Sequence, residues 1–134
     1  MSKGIITKTS NKDFNTTYET LRLAIENNPN IKIIAELDHQ GNANKVDLSL
    51  NPTRIIFFGN PRLGTPLMQA AQTIGLDLPQ KILVYQADNG VVSVAYNDPI
   101  YLKTRHKLEG NKEILQKIST ALDQLTNLAI AFKD

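Results

Sequence analysis

Two apolar runs on either side of Asp88-Asn89-Gly90 constrain this chain more than any other feature. Asn and Gly accept the positive φ of tight hairpin turns. Residues 81–87 and 91–96 are therefore expected to be neighbouring antiparallel strands. The most apolar segment, residues 53–58, ends at Gly59-Asn60-Pro61 and is expected to be a central strand of the same sheet. Ile31, Ile33, Ala35 and Leu37 alternate with Lys32, Glu36 and Asp38 in the period of a half-buried strand. Ile34 is the exception on its polar side. Ile5-Ile6, followed by Thr7 and Thr9, predicts a short first strand.

Between these strands the period changes. Asn11-Lys12-Asp13 offers helix caps, and Phe14, Tyr18, Leu21 and Ile25 then recur at helical spacing until Asn27-Asn28-Pro29-Asn30. A second helix is expected from Thr65, capped by its hydroxyl with Pro66 in the first turn, to a C-terminal Gly75. Asn97-Asp98-Pro99 opens a short helix carrying Tyr101, Leu102, Arg105 and His106. A last helix covers about residues 111–132, with Ile114, Leu115, Ile118, Leu122, Leu125, Leu128, Ala129 and Phe132 on its apolar positions. Residues 38–52 read as a loop with an irregular strand at Val46, Leu48 and Leu50, preceded by a helical turn at most. The order β-α-β-β-(α)-β-β-α-α implies an α+β fold, an antiparallel sheet with helices packed on one face, in a single domain spanning 1–134.

Composition narrows the function classes. Hydrophobic residues at 41% and charged residues at 21% place the chain among globular proteins, with a mainly aliphatic core because aromatics are only 6%. A net charge of +2, from 15 basic and 13 acidic residues, lacks the basic face of a nucleic-acid binder, so no nucleic-acid partner is expected. With no cysteine there is no disulfide, thiolate metal site or thiol nucleophile. No secretory h-region follows Met1, and no apolar run reaches membrane-spanning length, so a cytoplasmic location without membrane contact is expected.

An ordered series of motifs carries a family resemblance. Phe58-Gly59-Asn60-Pro61, Gly64-Thr65-Pro66-Leu67-Met68-Gln69, Gly75-Leu76-Asp77-Leu78-Pro79, Tyr96-Asn97-Asp98-Pro99, Tyr101-Leu102 and Arg105-His106 follow Asp38-His39. The series resembles the bacterial and archaeal Domain of Unknown Function 302 family, most strongly over residues 36–108. That resemblance implies a sheet with helices on one side, related to the TATA-box-binding-protein-like fold, and a homodimer. It implies no reaction, and the cofactor is left unknown.

Two segments concentrate residues of functional type. The turn 59–66, with Asn60, Arg62, Gly64 and Thr65, runs into a helix start whose free N–H groups suit an anion, or simply meets backbone and capping needs. Segment 96–106 carries Tyr96, Asp98, Arg105 and His106. Asp98 suits a helix cap, and Arg105, seven residues on, can share its helix face and either pair with it or join a cleft. His39 and His106, beside Asp38 and after Asp98, are acid–base residue types, but they lack any local metal signature and no metal site is assigned. The expected function is a homodimeric binding module for a small polar or anionic ligand at these two turns. The alternative is a small His-dependent enzyme, metal-assisted if the imidazoles and carboxylates meet.

Overall fold

In the computed structural model, which describes residues 3–131, the expected hairpin forms from β4 (Gln80–Gln86) and β5 (Val92–Asn97). Gly90 turns it with φ 87°, and the Asn89 side chain accepts from the Val91 N–H at 3.0 Å. The remaining strands are β1 (Ile5–Ser10), β2 (Lys32–Asp38) and β3 (Thr53–Gly59). All pair antiparallel in the order β1-β5-β4-β3-β2. β3 is interior, flanked by β2 and β4, but the middle place belongs to β4. A bulge in β2 shifts its register between Ile33 and Ala35. That extra residue is Ile34, which accounts for the break in alternation.

The helices are α1 (Phe14–Glu26), α2 (His39–Asn44), α3 (Pro61–Ala70), α4 (Pro99–Arg105) and α5 (Lys112–Ile130), with a 3₁₀ segment at Gln72–Leu76. Phe132, expected as the last apolar position of α5, lies outside the described residues, as do Met1 and Ser2. Strand pleating sends Ile56, Phe58, Ile82, Val84, Val92, Val94 and Tyr96 to one side of the sheet. There they meet Tyr18, Leu21 and Ile25 of α1 and Leu115, Leu122 and Leu125 of α5 in one core, joined by Leu67 of α3 and Leu102 of α4. Lys8 ties the edge strand β1 to α5: its ammonium donates to Asp123 Oδ1, Thr126 Oγ1 and Asn127 Oδ1 at 2.7–2.8 Å.

Alternate residues point the other way. Outside that core the register places Ile5, Leu37, Ile55, Phe57, Leu83 and Ala95 together with the polar Thr7, Thr9, Thr53, Tyr85, Ser93 and Lys81. Burial pushes the Lys81 ammonium below its ordinary pKa, and it lies 5.6 Å from the centre of the Phe57 ring.

Three local expectations are corrected. Val46, Leu48 and Leu50 form no strand; they are 65%, 65% and 43% exposed, because no neighbouring strand pairs with them. The helical turn before them is α2, capped by the Asp38 carboxylate accepting from Gly41 N–H at 3.0 Å. The helix expected at Thr65 begins four residues earlier: Asn60 Oδ1 accepts from Arg62 N–H at 2.9 Å, and Pro61 takes the first-turn place. Pro66 therefore sits inside α3. Gly75 does not end the helix; Ala71 does so in extended conformation, and Gly75 lies in the 3₁₀ segment.

Candidate functional site

Strand register decides which turns are neighbours. Lys32 pairs with Gly59, Phe58 with Gln80, and Ile5 with Asn97. The 59–66 turn, the start of β4 and the 96–98 turn thus share one end of the sheet. Asp38 pairs with Arg54, and Gln86 with Val92, at the opposite end. His39 follows Asp38 there and is separated from every other candidate residue by the length of the strands.

At the first end, a cavity of about 610 Å³ opens between the α1–β2 connection, α3, the start of β4 and α5. The bulge residue Ile34, 60% exposed, stands on its rim. Leu63 and Met68 of α3 form one wall, Leu78 and Pro79 (joined by a cis peptide bond) a second. Ala121 and Leu122 of α5 form the floor with Phe58; Leu122 and Phe58 are 0% and 3% exposed, so the cavity reaches the core. Its polar side chains are Asn30, Lys32, Asn60, Thr65 and Gln80. Of the residues expected at a site, Asn60, Gly64 and Thr65 line this cavity. Exposed Arg62 lies on the same turn without lining it.

Segment 96–106 is organised around a different residue. Tyr96 is buried on the core side, and burial raises its phenol above the ordinary pKa, with the Asp123 charge adding to the effect. Asp98 caps α4, accepting from Ile100 N–H at 3.0 Å. Arg105 does not pair with Asp98: its guanidinium Nη1 donates to both oxygens of Asp77 at 2.9 Å. His106, 4% exposed in its side chain, places Nε2 2.5 Å from Asp77 Oδ2 and Nδ1 2.9 Å from Thr73 Oγ1. The Lys81 ammonium donates to the Asp77 carbonyl at 3.1 Å. Asp77 thus gathers α4 and β4 immediately before the Leu78-Pro79 wall. Sequence spacing gives no sign of this, since its partners lie 28 and 29 residues away. Lys32, Ile34, Met68, Leu78 and Ala121 were likewise not expected at a site; the 59–66 turn, through Asn60, Gly64 and Thr65, was the part of the cavity marked in the sequence.

Among the described residues, no group of three or more His, Cys, Asp or Glu side chains converges where a metal ion could sit, and no helix is long and apolar enough to cross a membrane. A second, more polar cleft at the opposite end is lined by Asp13, Asp38, Gln40, Arg54 and Gln86. Arg54 stacks 4.0 Å from the centre of the Tyr18 ring, and its buried Nε has no partner among the described residues.

These features define a class: an α+β domain on a five-stranded antiparallel sheet, with helices on one face and an apolar cavity at one sheet end. The family is Domain of unknown function DUF302, to which the chain belongs; its model matches residues 6–125. A crystal structure of an uncharacterized conserved protein DUF302 from Bacillus stearothermophilus superposes with a TM-score of 0.82, covering 96% of this chain and 99% of that one at 19% identity, which is a likeness of fold. Curated relatives named fluoride-specific ion channel FluC 1, from Brucella suis biovar 1 (strain 1330) and Brucella abortus biovar 1 (strain 9-941), are each 35% identical over 117 residues. Those matches cover 87% of this chain and 46% and 43% of the relatives, so the chain spans less than half of their length.

Proposed function

We propose that this chain is a single-domain, homodimeric, cytoplasmic binding module that takes a small ligand in the cavity beside the 59–66 turn. The carrying observation is the cavity itself: about 610 Å³ beside α3, open at the rim and reaching buried Leu122 and Phe58. That size suits a small molecule, and a mainly apolar lining with a few polar groups is the usual make-up of such sites. The polar or anionic character expected of the ligand is confined to its rim end, where Asn60, Thr65, Gln80 and Lys32 stand. Residues 96–106 contribute through Asp77, which Arg105 and His106 hold against the cavity wall.

The dimer reading rests on the sheet face away from the core, whose middle row Ala95, Leu83, Ile55 and Leu37 is apolar. Five strands of about six residues project roughly 500 Å², on the scale of one side of a small protein interface. For the channel-named relatives, we assign pore formation to the half that this chain does not match. A thermal-shift screen over metabolites tests the binding reading: a ligand at many times its Kd raises the melting temperature. Failure of every compound, together with a monomeric sedimentation profile, would remove both parts.

One arrangement favours a second reading, a small hydrolase. Thr73 Oγ1, the His106 imidazole and Asp77 form a hydroxyl–imidazole–carboxylate chain, with Thr73 exposed. Activated-ester turnover that disappears in Thr73→Ala would support it, and turnover indifferent to that change would refute it.

A further inference from the structure

The cavity walls carry an asymmetry of charge. Their lining residues include one basic residue, Lys32, and no aspartate or glutamate. Lys32 has no ion-pair partner among the described residues. The side chains of Thr65 and Gln80 likewise make no hydrogen bond within the described residues, and Asn60 uses only its Oδ1, leaving its amide donors free. Inward of this rim the lining turns aliphatic, with Met68 as an adaptable, polarisable element and Ala121 leaving room above α5. Phe58 is the one aromatic side chain on the wall and is nearly buried, so there is little flat surface to stack a ring. A largely apolar cavity whose more exposed lining residues carry donors and a single cation fits a flexible chain ending in an anion.

Building on the binding-module reading, we propose that the ligand is an unbranched aliphatic carboxylate. Its chain lies between α3, the Leu78-Pro79 wall and α5, and its carboxylate stands at the rim beside Lys32, Asn60 and Thr65. Hydrophobic transfer then sets affinity, about fourfold per buried methylene. The exposed ion pair at Lys32 adds only about two- to fivefold.

The test is calorimetric titration of the full chain with hexanoate, octanoate, decanoate and dodecanoate, and with decanol. The expected result is tightening of about fourfold per methylene until the cavity is full. Lys32→Glu weakens decanoate and leaves decanol unchanged. Ala121→Phe, which fills the floor, abolishes both. Should that variant misfold, Ile34→Glu at the exposed rim answers the same question without touching the core. Affinity independent of chain length, or unmoved by Ala121→Phe and Ile34→Glu, overturns the proposal. The dye 1-anilinonaphthalene-8-sulfonate separates the two levels. If it binds the native chain, is lost in the cavity-filling variants, and no carboxylate competes, the aliphatic-carboxylate class falls while the cavity reading stands. If neither dye nor carboxylate responds to those variants, both fall.

Discussion

The two faces of the sheet are built from alternate residues of the same strands, yet they face different surroundings. On the covered side, Ile82 and Val84 of β4 are fully buried beneath α1 and α5. On the open side, Leu83 of the same strand joins Ile55, Phe57 and Leu37 without a helix over them. The open side is mixed: the row Ala95, Leu83, Ile55 and Leu37 is apolar, while the next row, Thr9, Ser93, Tyr85 and Thr53, carries hydroxyls. One set of side chains is covered by helices; the other is not.

The largest effect that separates the faces compares neighbouring residues. Ile82→Ala removes a fully buried side chain and is expected to cost about 3 kcal/mol, while Leu83→Ala costs the isolated chain under about 1 kcal/mol. Urea titrations at low protein concentration measure both, and equal losses would erase the distinction. Leu83→Asp, at the middle strand of the open face, addresses assembly instead. With the proposed dimer seam on this face, a charge at its centre is expected to weaken association by about 2–3 kcal/mol, roughly 30- to 150-fold in Kd. Analytical ultracentrifugation reads the association state, and one unaltered by the charge would remove this face as the proposed dimer seam.

The end of the sheet gives the next effect. Asp77→Ala removes the acceptor shared by Arg105 and by His106, whose side chain is 4% exposed. Leaving a nearly buried imidazole without its partner is expected to cost about 2 kcal/mol. Because Asp77 adjoins the Leu78-Pro79 wall, ligand affinity should fall with it. Stability lost with affinity retained would mean that the cluster braces α4 alone.

The strands and the main helices were legible because burial imposes its period directly on the sequence. Hairpin chemistry at Asp88-Asn89-Gly90 and helical spacing from Phe14 to Ile25 needed no tertiary information. The end of the sheet was harder to read for three physical reasons. Asn60-Pro61 and Thr65-Pro66 carry the same cap-then-proline signal, and only the Asn60 bond to Arg62 N–H decides between them. Val46, Leu48 and Leu50 alternate like a strand, but a ladder needs a partner that the sheet does not offer. Asp98 and Arg105 match in charge and spacing, yet Asp98 is engaged at its own helix start while Asp77 lies within reach. The cavity needed α3, α5 and β2 to come together, which no local pattern encodes; only its 59–66 side, with Asn60, Gly64 and Thr65, was legible.

The smallest effect lies on the covered side and sharpens the comparison through pH. Tyr18 is fully buried, and its hydroxyl donates to Glu36 Oε1 at 2.6 Å, while Arg22 Nε donates to Glu36 Oε2 at 3.3 Å. Burial raises the Tyr18 pKa well above its ordinary value, and the bond to Glu36 raises it further. In the unfolded chain the phenol releases its proton near pH 10. With the folded pKa raised, the stabilisation is fully present below about pH 10 and is lost as pH climbs towards the folded value. Tyr96, raised chiefly by burial, acts in the same direction. Tyr18→Phe is therefore expected to cost about 1 kcal/mol at neutral pH through the lost hydrogen bond, and also to flatten the decline of stability above pH 10. Unfolding free energies measured at pH 8 and at steps from 10 to 11 reveal both changes. An alkaline decline just as steep in the variant would show that Tyr18 ionises as readily folded as unfolded, and that the covered side is wetter around α1 than its packing implies.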